Sequence, residues 1–144
     1  MRGFLRVSLL LPLSLLLPGC GKGYQMAPVS GRVLMDNCPL ANVEVRFQPT
    51  GGNDLPRSIG FTDDQGNYTL YLDNGSDTPG AVVGEHRVEI SLDLRRKRPG
   101  MTKPAQMARR LQEMVPSKYN RNSTLTCTVP PEGKSVTNFD LRSK

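Results

Sequence analysis

Tryptophan is absent from this 144-residue chain, histidine occurs once, cysteine three times, and aromatic side chains make up only 6%. One histidine excludes a metal centre built on several imidazoles. Three cysteines exclude a disulfide-dense miniprotein. No apolar run reaches the ~18–20 residues needed to span a bilayer. The chain is also too short for a large enzyme or two independent cores. What remains is a basic chain of net charge +6 with 14 Gly and 12 Pro, in which apolar residues, at 37%, are numerous enough for one modest core.

The first residues read as an export signal. Arg2 and Arg6 precede Val7 to Leu17, an apolar run of secretory length. The run ends in Leu17-Pro18-Gly19-Cys20. A small residue directly before a cysteine at this place resembles the lipobox of bacterial lipoproteins. That resemblance implies a signal peptide over 1–19, a diacylglycerol on the Cys20 sulfur and an acylated new amino terminus. Two or more acyl chains anchor a protein stably, where one does not. Gly21 stands where lipoproteins kept at the inner membrane often carry Asp, so the resemblance favours the outer membrane. Cleavage removes two basic residues and no acidic one, leaving about 125 residues, the size of one domain.

Residues 20–28, with Gly21, Gly23 and Pro28, read as a tether to the anchor, and 29–144 as the folded domain. There apolar and polar residues alternate with period two. Val29 to Met35, Val43 to Phe47, Ile59 to Phe61, Tyr68 to Leu72, Val88 to Leu94, Leu125 to Val129 and Phe139 to Leu141 predict seven short strands. Asp36 to Pro39 has turn composition, and Ile59 to Leu72 reads as a hairpin turning over Thr62 to Asn67, with Gly66 expected at positive φ. The fold expected is all-β, a seven-stranded antiparallel sandwich. A short helical and basic insertion precedes the last two strands. It opens with Arg95-Arg96-Lys97-Arg98, and Met107, Leu111 and Met114 lie on one face of a helix over 104–115.

Three segments in order look like the carboxypeptidase regulatory-like family, with its transthyretin-like sandwich. They are Val29-Ser30-Gly31-Arg32-Val33, Pro39 to Phe47, and Thr62-Asp63-Asp64-Gln65-Gly66-Asn67-Tyr68. Gly80 to Val88 and Val115-Pro116-Ser117-Lys118-Tyr119-Asn120 extend the likeness to a group of small bacterial lipoproteins. Asn37-Cys38 departs from the family, which usually carries Gly and a polar residue there. The resemblance implies an accessory module without catalytic residues. Hydrolases of purine breakdown share that fold but depend on several histidines and a C-terminal Tyr-Arg-Gly-Ser. One histidine and a chain ending Asp140-Leu141-Arg142-Ser143-Lys144 exclude that activity.

Other residues carry side chains capable of chemistry. His86 lies in phase with Val88 and Ile90, so it is expected to pack inward and not to act as a base. Asp63, Asp64 and Asn67 read as a turn, because they lack the further acidic ligand of a calcium loop. No metal site or cofactor is expected. Cys38 and Cys127 are candidates for a disulfide in an oxidising compartment; otherwise Cys127 is an inward-facing small hydrophobe. Arg95, Arg96, Lys97, Arg98, Lys103, Arg109 and Arg110 suit either a solvated loop or contact with anionic lipid or an acidic polymer. Nucleic acid is no partner for an exported protein. These readings point to a non-catalytic, lipid-anchored interaction or scaffolding module of the cell envelope, meeting envelope proteins or polysaccharide. The alternative is a carbohydrate- or small-ligand-binding module, for which the aromatic platform looks thin.

Overall fold

Period-two alternation becomes strand wherever the sequence carries it. The computed structural model describes residues 23–93, 114–133 and 135–144. Their strands are β1 (Met26–Ala27), β2 (Val29–Met35), β3 (Cys38–Pro39), β4 (Val43–Pro49), β5 (Ser58–Phe61) and β6 (Asn67–Thr69). They continue with β7 (Tyr71–Leu72), β8 (Ala81–Val82), β9 (Gly84–Leu92), β10 (Thr126–Val129), β11 (Ser135–Val136) and β12 (Phe139–Leu141). All seven expected strands are present, and the fourth is divided between β6 and β7. Four short pieces, β1, β3, β8 and β11, are additional.

One sheet runs β10-β9-β4-β5-β7, antiparallel throughout. Its centre is the long β4–β9 ladder, from Val43 opposite Leu92 to Pro49 opposite His86. The other sheet is organised around β2. Along one side β2 pairs antiparallel with β6 and β3; along the other it pairs with β11 and β12. Those last two pairings are parallel, which corrects the expectation of a wholly antiparallel sandwich. The C-terminal strand returns beside the N-terminal one in the same direction, a non-local pairing that local periodicity does not encode.

The two sheets face each other across an apolar interior. Val43, Val45 and Phe47 on β4 and Val88 and Ile90 on β9 meet Val29 and Val33 on β2, with Phe139 and Leu141 on β12. Burying such side chains contributes about 1.5–3 kcal/mol each. Phe47 is central. Its ring lies 5.5 Å from His86 and 6.2 Å, edge-on, from Phe139, which stacks 6.4 Å from Tyr68. Val115 is buried in the same core, while Met114 is 54% exposed. The rest of the expected helix over 104–115 lies outside the described residues. Met114 is helical, a 3-10 turn covers Ser117–Tyr119, and among the described residues no helix is long and apolar enough to cross a membrane.

Two turns follow their chemistry. Asp36 and Asn37, both at positive φ, connect β2 to β3 with Met35 opposite Cys38, the geometry of a two-residue hairpin loop. Asp and Asn tolerate that conformation, so the glycine usual in the resembled family is dispensable. Gly66, at φ 77°, closes the turn after β5 as expected. That turn does not make a simple hairpin, however. β5 pairs with β4 and β7, whereas β6 pairs with β2. The strand of residues 67–72 therefore leaves one sheet and enters the other at Leu70. Residues 26 and 27, expected in the tether, form β1 instead: Met26 and Ala27 pair with Val82 and Ala81, and Ala27 is buried.

Candidate functional site

The crossing strand builds a concavity on the outer surface. Tyr68, Leu70 and Leu72 point into the core, so Asn67, Thr69, Tyr71 and Asp73 point out. On the neighbouring β5, Ser58 and Gly60 are the buried residues, which turns Ile59 and Phe61 outward. Gly60 has to be small, because a Cβ there would strike the Thr69 carbonyl. The outward side chains of both strands, with Asp63, Gly75 and Asp77 from the flanking turns, enclose a cavity of about 620 Å³. That size falls in the ~300–1,000 Å³ range of small-molecule sites.

Its wall is apolar and its rim acidic. Ile59 and Tyr71 are cross-strand partners, and Tyr71 stays 44% exposed while Phe61 is 37% exposed. Asp63 is already engaged: its Oδ1 accepts the Gln65 N–H at 2.9 Å and the Asn67 N–H at 2.8 Å, and its Oδ2 accepts from Asn67 Nδ2 at 3.3 Å. These bonds, that from the Asn67 amide foremost, hold its carboxyl below the usual carboxylate value. Asp73 accepts from Arg57 Nε at 2.8 Å. Asn74 Oδ1 accepts from both the Ser76 amide (2.9 Å) and the Ser76 hydroxyl (2.6 Å), and Tyr71 bridges to Pro79, so the 73–79 loop is tied in place.

The residues singled out from sequence lie elsewhere. His86 is only 1% exposed, as its phase on β9 implies. Its Nδ1 lies 3.0 Å from the Gly84 carbonyl, Nε2 has no partner among the described residues, and burial holds its pKa below the ordinary histidine value. The Asp63-Asp64-Asn67 segment is a hydrogen-bonded turn, and among the described residues no three His, Cys, Asp or Glu are grouped to hold a metal ion.

The disulfide considered for Cys38 and Cys127 is not formed; both are free thiols. Cys38 sits opposite Met35 at one end of β2, whereas Cys127 Sγ lies 3.5 Å from Thr137 Oγ1, whose amide bonds Ser30 at the other end. Five residues of strand separate those ends by roughly 16 Å, well beyond the ~7 Å Cα limit of a bridge. Cys127 is the half-buried small residue of its other reading. Cys20 and the basic residues Arg95, Arg96, Lys97, Arg98, Lys103, Arg109 and Arg110 lie outside the described residues. On the outer face of the β4–β9 ladder, Arg46 pairs with Glu44, and Arg87 with Glu89 at 3.0 Å. The more exposed Arg87–Glu89 pair contributes little to stability, whereas the Glu44 carboxylate is buried against its partner.

Sequence reasoning missed the pocket residues Ile59, Thr69, Tyr71 and Asp77. The available signal was phase, since Tyr71 alternates with three inward apolar residues and so had to face outward. The chain matches no protein-family model, no curated protein and no solved structure. The class that can be stated is thus structural: an all-β protein of two five-stranded sheets and a two-stranded β1–β8 ribbon, predominantly antiparallel.

Proposed function

We propose that this protein is a non-catalytic module of the bacterial cell envelope, held to the membrane by lipid on Cys20 and presenting a transthyretin-like sandwich to envelope partners. The observation that carries this reading is how near the first strand among the described residues lies to Cys20. That strand begins at Met26, six residues after Cys20, a span of at most ~20 Å. A lipid there would hold the sandwich against the membrane surface, on the outer membrane if the lipobox resemblance extends to sorting. The basic residues between 95 and 110 suit the same placement, because each contributes about 1 kcal/mol beside an anionic surface. Enclosure of the lone histidine between Phe47 and the Gly84 carbonyl supports a structural and not a catalytic role for it.

The test is the intact mass of the protein extracted from membranes. A chain beginning at Cys20 and carrying acyl groups is expected, with both Cys38 and Cys127 open to alkylation after denaturation. A bare chain recovered from the soluble fraction would contradict the anchor. A second reading, a ligand-binding module, is favoured by the cavity beside Tyr71.

A further inference from the structure

We infer that the cavity between β5 and the β6–β7 strand is a binding site for a neutral saccharide, with Tyr71 as its platform. This assignment rests on the binding-module reading and names its site and ligand class. A pyranose ring has an apolar C–H face and a rim of hydroxyls. It therefore requires an exposed apolar surface flanked by hydrogen-bonding groups that are not already engaged.

Both are present. The half-exposed Tyr71 ring is backed by its cross-strand partner Ile59, which fixes its position. Thr69 and Asp77 line the same cavity, both exposed, and neither side chain makes a hydrogen bond or ion pair among the described residues. A carboxylate accepts from two hydroxyls, and a threonine hydroxyl both donates and accepts. The wall is also preorganised, because Arg57–Asp73 and the Asn74–Ser76 bonds fix the loop carrying Asp77 before any ligand arrives.

The three aspartates that line the cavity, Asp63, Asp73 and Asp77, decide against an anionic saccharide. Asp63 is committed to the amides of its own turn and Asp73 to Arg57, so Asp77 is the carboxylate left to accept ligand hydroxyls.

The test is a titration of the 15N-labelled, membrane-extracted chain in a detergent without a sugar headgroup, followed by amide shifts. The probes are maltotetraose, cellotetraose and chitotetraose, with spermidine as a separate arm. At least one saccharide is expected to shift amides over 59–63 and 67–77, with half-saturation at about 1 mM, as suits a shallow site. Tyr71→Ala should weaken that binding by about tenfold or more, and Asp77→Asn by about three- to tenfold. Well-dispersed spectra of both variants would establish that they fold. Saccharide shifts confined to another face would overturn this site and leave the binding-module reading standing. Absence of any response, to saccharide or to spermidine, up to about 10 mM would overturn both. Spermidine moving the same amides where no saccharide does would overturn the neutral-ligand assignment.

Discussion

Tyr68 and Tyr71 stand three residues apart on one crossing strand and have opposite surroundings. Tyr68 is 3% exposed, stacks on Phe139 and donates from its hydroxyl to the Thr137 carbonyl at 2.7 Å. Burial pushes its phenol pKa well above the ordinary tyrosine value. Tyr71 faces the cavity with its ring half exposed. Residue type is therefore not what separates structure from binding in this chain. Phase is: an odd separation along a strand places two tyrosines on opposite faces. The interior tyrosine fastens the sandwich, and the outer one faces the cavity.

That contrast can be attacked from the interior first. Phe47→Ala removes the ring that joins His86 to Phe139, and should lower unfolding free energy by about 3–5 kcal/mol in urea titration. Gly31→Ala comes next. Its methyl would run into the Thr137 carbonyl and approach Tyr68 Oη to 2.9 Å, disturbing the acceptor that Tyr68 uses. A loss of about 1–3 kcal/mol is expected by the same measurement. Tyr68→Phe keeps the ring and removes only the hydrogen bond, so the loss should be about 0.5–1.5 kcal/mol.

His86 sharpens the comparison through pH. Its pKa is depressed in the folded state by burial, so the unfolded chain takes up the proton first. Its contribution is complete above the unfolded value of about 6.5 and declines as pH falls from there toward the folded value. Thermal unfolding midpoints followed from neutral pH downward should show this decline. His86→Asn should flatten that part of the profile, whatever it does to stability at neutral pH. The lowered carboxyls of Asp36, bonded by Ser143, and of Asp63 act in a separate, more acidic range.

Much of the fold is legible in local pattern. Val43 to Phe47 and Val88 to Ile90 alternate, and they form the central ladder; His86 keeps their phase and is buried; Gly66 takes the positive φ its turn demands. The parallel return of Phe139–Leu141 beside Val33–Met35 is not legible, because alternation records which face a residue occupies and not which strand lies next to it. The same limit applies to Cys38 and Cys127, whose phase is readable and whose separation along β2 is not. The pocket falls between these cases. The outward phase of Tyr71 is in the sequence, but the hollow beside it depends on a strand changing sheets at Leu70 over Gly60.

The most direct test of this division is equilibrium urea unfolding of Tyr71→Ala beside Tyr68→Phe. Tyr71→Ala, though the larger truncation, should keep the wild-type stability within about 0.5 kcal/mol, as an exposed side chain would. Tyr68→Phe, which removes a single oxygen, should lower it measurably. A loss at Tyr71→Ala equal to or greater than that at Tyr68→Phe would make Tyr71 part of the structural core and contradict the account.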